Sequence, residues 1–353
     1  MKRKKRLCLA LSCFLAIVMM LIPIPIWANS EGIIPISEPT DTTPTYPCKS
    51  AILMEASTGK VLFEQNADEA LPPASVTKVM TLLLVMEAIA DGRIAYGDMV
   101  TASAHACSMG GSQIYLKEGE QMSVEDMLKS VVIASANDAA VALAEHIWGT
   151  EEAFVEQMNR RALELGMNNT HFENTNGLDD TTTAHLTSAR DIALMSRALL
   201  AHPKITEYSS IWLDTIRDGA FGLTNTNRLV RFYPGATGLK TGSTAKAGFC
   251  VSATATRDGM NLICVIMGAE SRDIRNASAT SLLDFGFANY TLYRAPTITL
   301  QPIRVLGGVR ATCTVQAENF CDVIAKNDSK RTSAPTMPSA LSRKLCSRTK
   351  YAW

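Results

Sequence analysis

Hydrophobic and polar residues along this chain repeat with two different periods, which separate predicted strands from predicted helices. Residues 50–63 have apolar positions on both sides of a Ser-Thr-Gly-Lys tetrapeptide at 57–60, which predicts two strands joined by a tight turn. Residues 75–90 are apolar nearly all round, which predicts a central, buried helix. Pro72-Pro73 fits the entrance of that helix, and Gly92 fits its end.

The rest of the body changes from helices to strands. Residues 124–148 have a helical pattern that is broken at 135–138, and residues 151–165 and 187–200 predict amphipathic helices. From residue 236 the character of the sequence changes and predicts strands at 238–241, 249–256 and 262–268, followed by a helix at about 277–287. This order predicts one α/β (α+β) domain over residues 48–296. We expect a sandwich of helices and a mainly antiparallel sheet that is built from both ends of the chain.

The first 28 residues are typical of a signal peptide. Five basic residues at positions 2–6 precede an apolar run over 7–21, and we expect cleavage after Ala28. An anchor that stays uncleaved is the alternative. Residues 29–47 are rich in Pro, Thr, Ser and Glu and predict a linker. The sequence therefore predicts an exported protein, either secreted or associated with the cell wall or membrane.

The end of the chain has a different character. Positions 309–315 alternate strictly after Gly307-Gly308, which predicts a hairpin and a small, incomplete β domain over 297–325. Residues 326–353 carry seven basic residues against one acidic and show no periodicity, so we expect a disordered or aberrant tail. A premature stop or frameshift near residue 330 is our hypothesis for this loss of pattern. Finding no apolar-periodic continuation in the other two reading frames would reject it.

Charge and cysteine usage narrow the function. Residues 29–325 hold 22 basic and 33 acidic residues, so a nucleic-acid partner is disfavoured. Seven cysteines remain after the predicted leader, at no disulfide-framework spacing, and no Cys/His cluster has metal spacing. A predicted turn at Asp258-Gly259 pairs 250 with 267 and 253 with 264, which places Cys250 and Cys264 on opposite faces of the sheet. Neither a metal nor a cofactor is implied.

Three short motifs follow one another along the chain. They are Ser75-Val76-Thr77-Lys78, Ser135-Ala136-Asn137 and Lys240-Thr241-Gly242. On a helix the first motif places a hydroxyl and an amine one turn apart on the same face. A lysine that is buried near other cations loses part of its preference for the charged form and can accept the serine proton. Each motif alone is weak evidence for an active site. Their joint context is stronger evidence, because the first opens a buried helix, the second interrupts a helical segment and the third lies on a predicted strand.

These motifs, with Ala51–Lys60, Ser108–Gln113 and Asn176-Gly177-Leu178, make residues 50–290 resemble the low-molecular-weight penicillin-binding proteins, the serine D-Ala-D-Ala carboxypeptidases of peptidase family S11. The resemblance implies a β-lactamase-like fold and removal of the terminal D-alanine from peptidoglycan stem peptides through an acyl-enzyme. It also implies inhibition by β-lactam antibiotics. A peripheral contact with the outer face of the cytoplasmic membrane is a further expectation, although residues 326–353 show no amphipathic helix for it.

The resemblance also assigns roles to individual residues. Ser75 would be the acylated nucleophile, Lys78 its general base, and Ser135 the relay of a proton to the leaving D-alanine. Asn137 would hold the substrate amide and Lys78. Lys240 and Thr241 would bind the terminal carboxylate, and Arg275, with Arg272 as its competitor, would help to orient it. Main-chain N–H groups of Ser75 and Ser243 would form the oxyanion hole, and Gly242 would be a further substrate-binding residue.

Three other functions remain open. A Ser-His-Asp hydrolase is disfavoured because the chain has no Gly-x-Ser-x-Gly elbow. Glu173-Asn174-Thr175-Asn176 has the form of a deacylating Glu-x-x-Asn pair, which would make the protein a β-lactamase. A non-catalytic wall-binding relative is the third alternative, but all three motifs are intact. The sequence therefore favours the carboxypeptidase.

Overall fold

The computed structural model describes residues 44–293 and the short strands at 303–304, 312–313 and 323–326. The predicted leader, residues 29–43 of the predicted linker and residues 327–353 of the predicted tail lie outside the described residues. Within the predicted linker, the Tyr46 ring is buried and packs edge-on against Phe63 at 5.2 Å. An aromatic side chain that can bury its ring in this way joins the core despite the polar sequence around it.

In chain order the strands are β1 (Ser50–Glu55), β2 (Val61–Gln65), β3 (Met99–Thr101), β4 (Gln121–Ser123), β5 (Leu213–Ile216), β6 (Phe221–Thr224), β7 (Ala236–Thr244), β8 (Gly248–Arg257), β9 (Met260–Ala269), β10 (Tyr290–Tyr293), β11 (Ile303–Arg304), β12 (Thr312–Cys313) and β13 (Val323–Lys326). The helices are α1 (Lys78–Ala90), α2 (Ala104–Cys107), α3 (Val124–Ile133), α4 (Asn137–Trp148), α5 (Glu151–Glu164), α6 (Ala189–Leu200), α7 (Lys204–Ser209), α8 (Leu229–Phe232) and α9 (Arg272–Asn289).

A five-stranded antiparallel sheet with the order β2-β1-β9-β8-β7 forms the centre of the domain. Ser50 at the start of β1 pairs with Met267 of β9, so the sheet is indeed assembled from both ends of the chain. Among the described strands, β7, which carries the Lys-Thr-Gly motif, has a neighbour on one side only. Its other edge is therefore left for groups that are not part of the sheet.

Hydrophobic side chains pack on both faces of this sheet. One buried cluster joins the sheet to α1, α3, α4 and α6, and the other joins it to α9. Gly286 lets α9 approach closely, because a Cβ there would lie 2.6 Å from the Leu262 side chain. Cys250 belongs to the first cluster and Cys264 to the second, which confirms that the two thiols lie on opposite faces.

The predicted hairpin register holds at one end and is wrong at the other. Ala253 pairs with Cys264 as predicted, but the predicted pairing of 250 with 267 does not form. Val251 pairs with Ile266 and Phe249 with Ala269, so β9 has one residue more than β8 between these pairs. Gly268 supplies a left-handed φ of 67° at this bulge, and that conformation is readily adopted by glycine.

The helices that carry the motifs follow the prediction closely. A 3-10 turn over Ala74–Thr77 leads directly into the buried α1. The predicted interruption of the next helix separates α3 from α4, and Ser135 lies in the break with φ at 65°. The last helix, α9, begins five residues earlier than predicted, because the Ser271 side chain accepts the main-chain N–H of Ile274 and caps it at Arg272.

The described strands beyond residue 297 take part in two small antiparallel pairs, one of which includes the earlier strand β10. β11 pairs with β12 inside the predicted β domain, and β13 pairs with β10. Lys326, the first residue of the predicted tail, is the last residue of β13. No helix in the described part of the chain has the length and apolar character needed to cross a membrane.

Candidate active site

Ser75 lies in the 3-10 turn that precedes α1, and its neighbours hold that turn in a strained form. Ala74 has φ at 48°, a left-handed conformation that costs a non-glycine residue about 1–3 kcal/mol. Lys78 begins α1, and its Nζ lies 2.9 Å from Ser75 Oγ. The hydroxyl and the amine are therefore on one face and within hydrogen-bond distance, as the Ser-x-x-Lys spacing predicts.

The environment of Lys78 favours its neutral form. Its side chain is completely buried, and its Nζ donates to the main-chain carbonyl of Asn176 at 2.8 Å. Burial lowers the Lys78 pKa well below its ordinary value, the charge of Lys240 lowers it further, and Asp138 opposes them. A neutral amine that donates to Asn176 has a lone pair left for the Ser75 proton.

The second buried lysine, Lys240, lies on β7. Its Nζ donates to the main-chain carbonyl of Thr241 at 2.9 Å. Burial, and then the charge of Arg275, lower the Lys240 pKa to about 7. Arg275 is itself buried in the first turn of α9, where burial and Arg272 lower its pKa to about 10. Two basic side chains, Lys240 and Arg275, are therefore buried near each other.

A cavity of about 440 Å³ opens beside the nucleophile. The structure brings six of the predicted site residues to its wall: Ser75, Ser135, Thr241, Gly242, Ser243 and Arg275. Arg272, exposed on the same helix turn as the buried Arg275, also lines it, as does Arg228. Since the lining residues include no Asp or Glu, the described wall is positively charged and suited to an anionic ligand.

Asn137 does not make its predicted contact with Lys78. Its side-chain Nδ2 donates to the carbonyl of Gly110 at 2.6 Å, and its main-chain N–H donates to Ser112 at 2.7 Å. The carbonyl of Asn176 takes the place expected for Asn137 beside the lysine amine. The Oδ1 atom of Asn137 is buried with no hydrogen-bond partner among the described residues. It is an unused acceptor two residues after Ser135.

The edge of β7 lies directly against the nucleophile turn. At Gly242 a Cβ would be 2.7 Å from the Ser75 main-chain nitrogen, so a glycine is needed for this approach. On the neighbouring residue, Thr241 Oγ1 donates to Thr226 Oγ1 at 2.8 Å. Neither Thr226 nor the carbonyl of Asn176 was assigned a role from sequence. In the sequence, that segment is marked by Asn176-Gly177-Leu178, one of the motifs on which the family resemblance rests.

Glu173 has no place in the site. Its carboxylate accepts the main-chain N–H groups of Thr183 and Ala184, both at 2.9 Å, and these hydrogen bonds lower its pKa. It is not among the residues that line the cavity around Ser75. The Glu173 carboxylate therefore stabilises a surface loop, and the Glu-x-x-Asn pattern gives no support to the β-lactamase alternative. Among the described residues, no group of His, Cys, Asp and Glu side chains has the arrangement of a metal site.

Comparisons with known proteins agree with this geometry. A sequence profile described as D-alanyl-D-alanine carboxypeptidase matches residues 37–271. The chain is 50% identical over 248 residues to the D-alanyl-D-alanine carboxypeptidase DacF of Bacillus subtilis, covering 69% of this chain and 63% of that protein. It is 39% identical over 258 residues to DacC of Escherichia coli, covering 71% of this chain and 64% of that protein. The chain thus spans less than two thirds of these relatives.

Solved structures give the same result. Penicillin binding protein 5 of Haemophilus influenzae matches with a TM-score of 0.71 and 33% identity, covering 81% of this chain and 83% of that one. Penicillin-Binding Protein D2 of Listeria monocytogenes in its cefotaxime-bound form matches with a TM-score of 0.64 and 31% identity, covering 69% of this chain and 98% of that one. The chain belongs to the D-alanyl-D-alanine carboxypeptidase family, peptidase family S11.

Proposed function

We propose that this chain is a serine D-Ala-D-Ala carboxypeptidase that removes the terminal D-alanine of peptidoglycan stem pentapeptides and is acylated by penicillins. The observation that carries the proposal is the 2.9 Å contact between Ser75 Oγ and the completely buried Lys78 amine. A buried lysine with a lowered pKa beside a serine hydroxyl is an arrangement that activates a nucleophile. The relatives DacF and DacC, both D-alanyl-D-alanine carboxypeptidases, support the substrate class.

Acylation begins when Ser75 Oγ attacks the carbonyl carbon between the last two D-alanines and Lys78 takes the hydroxyl proton. The main-chain N–H groups of Ser75 and Ser243 stabilise the oxyanion. The C–N bond then breaks, and Ser135 relays the proton that Lys78 took from Ser75 to the leaving amine. Water releases the shortened peptide from Ser75 in the second step. Placement of Ser75, Ser135 and Ser243 on one cavity supports these roles.

The cationic side of the cavity accounts for the terminal position of the cleaved bond. Arg275 and Thr241, which line the cavity, and the buried Lys240, which is not among the lining residues, would bind the free carboxylate of the last D-alanine by charge-assisted hydrogen bonds. A penicillin carries a carboxylate in the corresponding position and would be held in the same way. The absence of acidic side chains from the described lining supports this assignment. The Oδ1 of Asn137, which has no hydrogen-bond partner within the described part of the chain, supports a further contact with the substrate amide.

The test is to mix the purified chain with a fluorescent penicillin and, separately, with a stem pentapeptide. We expect a long-lived adduct on Ser75, located by peptide mass mapping, and release of one D-alanine from each pentapeptide. Ser75→Ala, the matched control, should take no label and release no D-alanine. Rapid loss of the label with hydrolysed penicillin would indicate a β-lactamase, and absence of both label and D-alanine would indicate an inert wall-binding relative.

We also propose that the protein acts outside the cytoplasm, where its substrate lies. The basic and apolar pattern of residues 1–28 supports export. Expression of the full chain in a bacterium followed by fractionation and N-terminal sequencing tests this. A mature chain that starts at Asn29 in the extracytoplasmic fraction is the expected result. Accumulation of the full-length chain in the cytoplasm would contradict it.

A further inference from the structure

A chain of buried hydrogen bonds runs from the nucleophile turn to the loop behind it. Thr77 Oγ1 donates to the carbonyl of Ala74 at 2.8 Å and lies 2.8 Å from Nε2 of His185. His185 Nδ1 accepts the main-chain N–H of Glu173 at 2.9 Å. Because Nδ1 accepts, a neutral ring carries its proton on Nε2 and donates it to Thr77. The direction of these hydrogen bonds is therefore fixed: the imidazole donates to Thr77, and Thr77 donates to the carbonyl oxygen of Ala74.

The same loop presses on the turn at two further points. Asn176 accepts the hydrogen bond of Lys78, one residue before Gly177. A Cβ at Gly177 would lie 1.8 Å from the carbonyl oxygen of Ala74, so only glycine fits between the loop and the turn. The carbonyl of Ala74 is thus held by the Thr77 hydroxyl and enclosed by Gly177. Ala74 keeps its left-handed φ under these contacts, and the next residue is Ser75.

We propose that His185 and Thr77 are positioning residues for the acylation step, acting through the main chain of Ala74 on the placement of Ser75. This role rests on the proposed acyl-enzyme function of Ser75. Neither side chain lines the cavity, so neither touches the substrate. They keep Ser75 Oγ within 2.9 Å of the Lys78 amine in the free protein. A small displacement of a nucleophile is enough to lower a reaction rate about 100-fold.

The surroundings of His185 keep its ring neutral, as the direction of the chain requires. Burial is the main cause that lowers its pKa to about 4; the carboxylates of Glu173 and Asp179 oppose this shift, and His171 adds to it. The ring packs edge-on against Phe172 at 5.7 Å, and both rings are buried. A charged imidazole would have to donate from Nδ1 towards the N–H of Glu173, which would break the chain at that point.

The experiment uses two pairs of variants. Thr77→Val keeps the shape of the side chain and removes the hydroxyl, whereas Thr77→Ser keeps the hydroxyl. His185→Asn loses the donor at the Nε2 position, whereas His185→Gln places an amide N–H close to it. The exposed His171→Asn is the matched control. Stopped-flow labelling with a fluorescent penicillin separates the dissociation constant of the first complex from the rate constant of acylation.

We expect Thr77→Val and His185→Asn to lower the acylation rate constant about 10- to 100-fold, with the dissociation constant unchanged within about threefold. Thr77→Ser, His185→Gln and His171→Asn should acylate within about threefold of the unmodified rate. Thermal unfolding is followed in parallel, and rates are compared well below each midpoint. If Thr77→Val does not fold, the contrast between His185→Asn and His185→Gln decides the question.

Two results would overturn the role. The first is an acylation rate constant that Thr77→Val or His185→Asn leaves unchanged. The second is an equal loss in the members of each pair, which would show that the residues serve stability alone. An unmodified chain that takes no penicillin label would instead overturn the acyl-enzyme function, and the positioning role with it. The measurement on the unmodified chain thus distinguishes the two failures.

Discussion

Two lysines of the site, Lys78 and Lys240, have the same chemistry and nearly the same burial but different neighbours. Lys78 is within hydrogen-bond distance of a hydroxyl that can give up a proton, while Lys240 donates to a main-chain carbonyl and lies near a guanidinium. Burial is the largest cause of the lowered pKa in both. Desolvation therefore prepares either lysine for loss of its proton, and the neighbouring group decides its use.

Removal of the proton acceptor should have the largest effect. Lys78→Met keeps the length and burial of the side chain and removes the amine. We expect the acylation rate constant to fall about 100- to 10,000-fold, because general-base catalysis contributes about that factor. Penicillin labelling under single-turnover conditions measures it. A loss of less than tenfold would mean that Lys78 is not the base and that the comparison of the two lysines fails.

The pH profile sharpens the same comparison. Only the neutral amine accepts a proton, so acylation should fall as the pH decreases through the lowered pKa of Lys78. A lysine with an ordinary pKa is mostly charged at neutral pH, and in that form it cannot act as a base. We expect acylation to be substantial at neutral pH and to show its acid limb below the ordinary lysine range. A limb at the ordinary lysine pKa would contradict the lowered value.

Lys240, the proposed binding partner of the substrate carboxylate, should act mainly on substrate binding. With a pKa of about 7, Lys240 is charged in the free protein at lower pH and loses its proton as the pH rises through that value. We therefore expect kcat/KM of the unmodified chain to decline above about pH 7. Lys240→Gln should lower kcat/KM about 100-fold and remove this alkaline limb, because glutamine does not titrate. A Lys240→Gln profile that keeps the limb would assign it to another group.

The two arginines of α9 give a smaller, internal contrast. Arg275 is buried and Arg272 is exposed, although both line the cavity. We expect Arg275→Gln to raise KM for a pentapeptide about tenfold and Arg272→Gln to change it less than about threefold, since exposed charges contribute little. Steady-state kinetics measure both values, and thermal unfolding controls for loss of the Arg275 contacts. A larger effect at Arg272 would exchange the two roles.

The smallest effect is expected at Glu173. Its carboxylate serves the main-chain N–H groups of residues 183 and 184, away from the reacting atoms. Glu173→Gln should therefore leave the rate of penicillin release from Ser75 unchanged within about twofold. The decay of labelled adduct over time measures this rate. A release rate that falls tenfold or more would restore the deacylating role and favour the β-lactamase.

Local patterns explain which parts of the site the sequence could predict. The Ser75–Lys78 contact follows from helical spacing, and the break before Asn137 follows from an interrupted period. The choice between Arg272 and Arg275 depends on where α9 begins, and the Ser271 cap that sets this start was missed. The contact between Asn176 and Lys78 could not be predicted from the sequence for another reason. Its contribution to Lys78 is a main-chain carbonyl, which every residue possesses, so its side-chain type carries no information.

The pairing of β1 with β9 also sets an order in time. During synthesis the nucleophile segment emerges long before β7, whose Gly242 lies against Ser75, and before β9, which closes the sheet on β1. Contacts between such distant segments are slow to form, because the loop between them must first be closed. A nascent chain can therefore carry both Ser75 and Lys78 while neither the cationic wall nor the buried environment of the amine exists. The proposed acylation of Ser75 therefore requires the last strands of the sheet to be in place.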